Sequence, residues 1–182
     1  MPNIIFWGNR KDGQPPFEYS ITEEARIHSW KNIRWIFFPK PGPDIAASII
    51  PLDIAKDDIS FVRFSDFVGI EDLSKGEDVY YLGFPQGLGS VQGTDPMLRR
   101  GMVSLKESNQ NLFYIDATVA GGNSGGPVFK PKTSGRPGFI GIVTAFIPAA
   151  SDKGWYHSGI GIVYPVNYIK QLLESKEFEA TK

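Results

Sequence analysis

One hydroxyl stands in a cage of glycine: Gly121-Gly122-Asn123-Ser124-Gly125-Gly126-Pro127. Glycine lacks the Cβ that forbids tight or left-handed turns, so this main chain is free to turn its N–H groups toward one point. Beside a serine hydroxyl, converging donors suit acyl transfer, in which a carbonyl oxygen gathers negative charge as the nucleophile attacks. A serine hydroxyl is a poor nucleophile until a base takes its proton, and a carboxylate commonly orients that base. The plainer reading is a turn whose serine caps its own backbone, since turns collect glycine for conformational reasons alone. The flanks favour the chemical reading. Phe113 to Val119 has the pattern of a strand running in, and Pro127-Val128-Phe129 of a strand running out.

Partners for such a serine are few. Asp44 directly precedes the apolar run Ile45-Ala46-Ala47-Ser48-Ile49-Ile50. The chain has 2 histidines, His28 and His157. His28 lies in Arg26-Ile27-His28-Ser29-Trp30, a strand or its approach, and His157 in the late loop Trp155-Tyr156-His157-Ser158. Each reads more simply as an ordinary surface or loop histidine than as a base. Other chemistries fit poorly. No Gly-Lys-Ser/Thr follows the glycines, so the loop is not a phosphate cradle. Two distant histidines without cysteine do not make a zinc site, and no metal is expected. Asp57-Asp58 and Glu23-Glu24 read as solvated turn charges rather than an acid–base dyad.

The elements that must carry the loop are strands. Ile4–Trp7, 17–22, 33–38, 45–52 and 59–64 form a first series. A turn at 73–78 then leads to 79–84, 100–106, 112–119, 128–129, 139–147 and 161–164. Short strands joined by Gly- and Pro-rich turns point to antiparallel barrels or a sandwich. One helix is expected at the end, with Asn167 as N-cap and Tyr168, Ile169, Leu172 and Leu173 on one face.

A chain of 182 residues, 41% hydrophobic and 21% charged, is long enough for one large domain or two small subdomains sharing a core. Its 19 basic and 20 acidic residues leave a net charge of −1, which offers no field for nucleic acid or an anionic membrane. Zero cysteines exclude disulfides and thiol catalysis. The longest apolar stretch, 139–150, is too short to span a bilayer. No basic segment and apolar run of export-signal type opens the chain, so a soluble domain is expected.

The serine loop, Pro43-Asp44-Ile45-Ala46, Gly83-Phe84-Pro85, the run from Gly141 to Phe146 and Gly159-Ile160-Gly161-Ile162 together resemble the chymotrypsin-like serine proteases. The resemblance is closest to the bacterial trypsin-like, Do-like (HtrA) branch and covers roughly residues 3–175. It implies an all-β fold of two antiparallel β-barrels, the first incomplete, with a C-terminal helix. The expected division is 1–66 for the partial first barrel and 67–182 for the second barrel with the serine loop and helix. It implies a serine endopeptidase acting on extended polypeptide through an acyl-enzyme, with no cofactor. Ser124 would be the nucleophile, and the N–H groups of Gly122 and Ser124 the oxyanion hole. Asp44 would orient the base.

That base is missing. Counting back from Asp44 by the family's spacing lands between the N-terminus and residue 14, where no histidine stands. The expectation is a chain that begins just downstream of its catalytic histidine, either as a truncated protease or as a natural remnant. It would be inactive as written, and the alternative function is a peptide-binding pseudoprotease. Asn123 replaces the aspartate of digestive-type enzymes, so no activation by a freed amino terminus is expected. The segment Val143-Thr144-Ala145-Phe146 would add an extended peptide as an extra strand. Thr118 would lie at the base of the S1 pocket, where its neutral side chain disfavours Lys or Arg. Phe146 would narrow the entrance or simply pack in the core. The compartment stays open between bacterial cytoplasm and envelope.

Overall fold

The computed structural model describes residues 4–10, 17–21, 35–49, 57–58, 61–89, 95–107, 112–133, 135–152 and 154–180. The chain divides into two compact units. One comprises 1–61, 90–95 and 171–182, the other 62–89 and 96–170.

In the first unit, β1 (Ile4–Arg10) pairs antiparallel with β2 (Phe17–Ile21) and with the two-residue β5 (Asp57–Asp58), in the order β2-β1-β5. A separate two-stranded piece joins β3 (Ile36–Phe37) to β4 (Ala46–Ala47), with Ile36 opposite Ala47. The strand expected over 45–52 is thus two residues long within the part described. Ile36 and Ile45 are buried, whereas Phe37 and Ile49 face outward.

The second unit holds a closed six-stranded barrel, in the order β10-β11-β8-β7-β6-β9. Its strands are β6 (Asp78–Gly83), β7 (Met97–Glu107), β8 (Leu112–Asp116), β9 (Pro127–Lys130), β10 (Gly138–Ser151) and β11 (Gly154–Pro165). Period-two alternation does the sorting: Val79 and Tyr81 of β6, and Phe113 and Ile115 of β8, point inward and are fully buried. Val103, Val128, Ile140 and Val163 belong to the same core, with Leu73, Ala117, Val119 and Val143. Burying Tyr81 would strand its hydroxyl, and that group donates to the Thr118 carbonyl at 2.9 Å.

Two local expectations change. Of the strand expected over 59–64, the described residues 61–63 are irregular and Phe64 opens a 3-10 turn at Phe64–Asp66. The Asp66 carboxylate accepts the Arg63 N–H at 3.2 Å and takes the donor that a ladder would use. The terminal helices are α1 (Val166–Leu173) and α2 (Lys176–Glu179). Asn167 is the second residue of α1 rather than its cap. Its Oδ1 accepts the Ile70 N–H at 3.0 Å and its Nδ2 donates to Glu71 at 3.1 Å, which ties the 3-10 turn Ile70–Asp72 to the helix. No helix among the described residues is long and apolar enough to cross a membrane.

Candidate active site

The serine loop joins β8 to β9 across one end of the barrel, and backbone hydrogen bonds fix much of it. Gly125 donates to the Val143 carbonyl at 2.8 Å, and Val143 donates back to Gly126 at 2.9 Å. Glycine is required where the loop touches other backbone. Gly122 has φ +95°, and a Cβ there would meet the Phe84 carbonyl oxygen at 2.0 Å. Asn123 is fully buried, and its Oδ1 accepts the Ala120 N–H at 3.0 Å. Ser124, by contrast, is exposed.

Two peptide planes decide where the loop's free donors face. The Gly121 carbonyl accepts the Gln86 N–H at 2.8 Å, and the Asn123 carbonyl accepts the Gly126 N–H at 2.9 Å. In a trans peptide the N–H points opposite to the C=O. The N–H groups of Gly122 and Ser124 are therefore turned away from those partners. Neither donates a hydrogen bond among the described residues.

The Ser124 hydroxyl donates to the Thr144 carbonyl at 3.1 Å. Thr144 is the extra residue of a bulge: Val143 pairs with Val163 and Ala145 with Ile162, leaving Thr144 unopposed. The bulge aims this carbonyl at the loop. Beyond Ile142, β10 keeps β11 on one side and has no strand partner on its β9 side among the described residues. Ala145 and Phe146 lie on that stretch, both exposed.

Of the remaining candidates, Thr118 is exposed, and the neighbouring Ala117 N–H donates to Gly159 at 2.8 Å. Phe146 stacks on His157, with ring centroids 4.6 Å apart, so it packs against a ring while keeping 37% of its surface exposed. His157 Nδ1 accepts the Gly159 N–H at 2.8 Å, which places the proton of the neutral ring on Nε2. No described residue accepts from that Nε2. Ala117 and His157 thus both bond Gly159, and Phe146 stacks on His157, whereas the Thr118 carbonyl accepts from the Tyr81 hydroxyl. Asp44 belongs to the other unit. It is exposed at a bend before β4, without a hydrogen bond or ion pair among the described residues. His28 lies outside the described residues.

Sequence reasoning missed Gln86. This non-glycine residue holds φ 54°, ψ 26°, in a 3-10 turn at Pro85–Gly87. The signal was the Pro85-Gln86-Gly87 turn pattern, whose partner across the fold no spacing could name.

Comparison with known proteins agrees with this geometry. A family profile described as "Trypsin-like peptidase domain" matches residues 11–142. The chain is 30% identical over 141 residues to the Serine protease Do-like HtrA of Bacillus subtilis (strain 168), a match covering 73% of this chain and 29% of that protein. It is 28% identical over 165 residues to a probable periplasmic serine endoprotease, DegP-like, of Buchnera aphidicola subsp. Schizaphis graminum (strain Sg), covering 86% and 32%. The chain thus spans about a third of the length of these relatives. Among solved structures, a variant of the HtrA-type protease AlgW with a tripeptide superposes with a TM-score of 0.57 at 19% identity, covering 94% of this chain and 48% of that one. AlgW with a decapeptide gives 0.53 at 19%, covering 90% and 42%. These two likenesses support the chymotrypsin-like fold. A closed barrel, a serine loop anchored to it by glycine, and the match over 11–142 lead to one conclusion: this chain belongs to the trypsin-like peptidase domain family.

Proposed function

We propose that this domain binds extended polypeptide along residues 143–146 and carries a serine-protease site whose nucleophile position is Ser124. In this reading the N–H groups of Gly122 and Ser124 form the oxyanion hole, and Asp44 is the carboxylate that orients a base. The observation that carries the reading is the pair of unengaged donors flanking the Ser124 hydroxyl, each opposed to a tethered carbonyl. Removing one such donor from a working site typically costs about 2.7–4 kcal/mol of transition-state stabilisation. The open side of β10 next to Ser124 suits an added antiparallel strand. Solved structures of AlgW with a tripeptide and a decapeptide lend that proposal analogy.

Hydrolysis by this chain is proposed to be weak or absent. The Ser124 proton is directed at the Thr144 carbonyl, which cannot remove it, and no described residue offers Ser124 a basic nitrogen. Without one member of the triad, only binding and oxyanion stabilisation remain. The same observation favours a second reading, a pseudoprotease that grips peptides without cutting them. Incubation with casein and with a peptide library, followed by mass spectrometry, separates these readings. Robust cleavage lost in Ser124→Ala would overturn the proposed inactivity, and retention of library peptides without cleavage would support the binding module. Failure to retain any extended peptide would remove both. We propose further that Thr118 lies at the base of S1 and Phe146 at its mouth, so that S1 takes small or medium apolar side chains.

A further inference from the structure

A residue other than glycine in the left-handed region is strained and persists only where its surroundings hold it there. Gln86 is such a residue, the only non-glycine one with positive φ among those described. Its side chain is exposed, so packing gives no reason for the conformation. Its backbone does. The turn, closed by Gly87 N–H to Phe84 at 2.9 Å and Leu88 N–H to Pro85 at 3.0 Å, directs the Gln86 N–H at the Gly121 carbonyl, 2.8 Å away. Phe84 N–H holds the next carbonyl, that of Gly122, at 3.0 Å.

The two donors beside Ser124 therefore differ in what sets them. The Ser124 N–H is set from within the loop, by the bond from Gly126 to Asn123. The Gly122 N–H depends on a segment 35 residues or more distant in sequence, as is plain from the positions of Gln86 and Gly121. Glycines on both sides of the Gly121–Gly122 peptide give it freedom to rotate. Released, the plane could turn its carbonyl toward Ser124 and remove the donor. We propose that Gln86 is a positioning residue: its backbone N–H, presented by a left-handed turn, clamps the Gly121 carbonyl and so aims the Gly122 N–H at the oxyanion position. This inference rests on the reading of Gly122 and Ser124 as an oxyanion hole. It adds that the hole is held open from the Pro85–Gly87 turn.

The test uses binding, so it needs no catalytic base. A product-like peptide acid places a carboxylate oxygen where an oxyanion would sit, whereas the matching amide cannot bring a charge there. An acetylated pentapeptide ending in valine, as free acid and as carboxamide, is titrated into the whole chain and into Gln86→Gly and Gln86→Val. Glycine keeps the N–H and relieves the strain. Valine, β-branched, drives φ out of the left-handed region. Crystal structures of the same proteins report the direction of the Gly121 carbonyl.

The clamp predicts about tenfold tighter binding of acid than amide in the parent and in Gln86→Gly. In Gln86→Val that preference should vanish while amide affinity stays unchanged, and the Gly121 carbonyl should turn. A Val variant that keeps both the preference and the carbonyl direction overturns the proposal. If the parent binds both peptides equally, the oxyanion-hole reading fails, and an unmoved carbonyl in Gln86→Val overturns the clamp separately. Should the Val variant not fold, an amide-to-ester replacement at residue 86 deletes the N–H alone. It must abolish the acid preference, and retention of that preference overturns the clamp.

Discussion

At the residue scale, the site is a problem of backbone direction more than of side chains. The glycine loop around Ser124 was legible in the sequence as a tight turn and as the candidate nucleophile position. What each glycine does was not. Gly122 is needed for its φ of +95° and for its approach to Phe84, whereas a Cβ at Gly121 or Gly125 would meet nothing within 4 Å. Gly122→Ala should therefore destabilise the domain by at least about 1–3 kcal/mol from the strained φ, with the Phe84 clash added, in urea unfolding. Gly121→Ala should cost far less. An equal loss at the two positions would contradict the assignment of strain to residue 122. Asn123 is notable in the sequence for what it lacks, a charge. The structure adds its burial and its bond to Ala120, so Asn123→Asp would bury a carboxylate with one described donor and should lower the melting temperature clearly at neutral pH. The proposed S1 floor is tested by Thr118→Asp. Peptides with Lys or Arg at P1 should then gain about tenfold in affinity, and unchanged selectivity would remove Thr118 from the pocket.

At the element scale, the sequence showed the strands but not the irregularities that matter. The alternation in 79–84 and 112–119 announces the barrel because a two-residue period is imposed by the pleat. The bulge at Thr144 has no such signature: it is created by register with β11, a pairing 18 or so residues away in the positions of Thr144 and Ile162. Asn167 departs from its expected place for a related reason. Its cap-like chemistry is real but is spent on Ile70 and Glu71 across the fold. Ion pairing at this scale gives a pH dependence. Burial acts to raise the Glu77 carboxyl, but the Lys130 ammonium at 2.8 Å and the Ser74 N–H outweigh it and hold it below its ordinary value of 4.5. A depressed carboxylate contributes stability above its unfolded pKa and loses it as pH falls through the folded one. The melting temperature should thus fall between pH 5 and 3. Glu77→Gln should lie lower at pH 6 and show a shallower fall over that interval. Parallel curves for the two proteins would exclude Glu77 as a contributor.

For the molecule as a whole, composition said little about function: 41% hydrophobic residues and a net charge of −1 describe an ordinary globular chain. The barrel and the family were within reach of the sequence because the serine loop and the ordered anchors are local. The base was not, because its identity depends on which residues meet in space. His157 is engaged by Gly159 and Phe146, and His28 lies outside the described residues. The central claim, a built serine site without a working base, is tested most directly by a fluorophosphonate probe read by intact mass on the chain and on Ser124→Ala. The account predicts no adduct on either protein. An adduct on the parent, absent from Ser124→Ala, would contradict it and mean that a base activates Ser124, with His28→Ala the next protein to label.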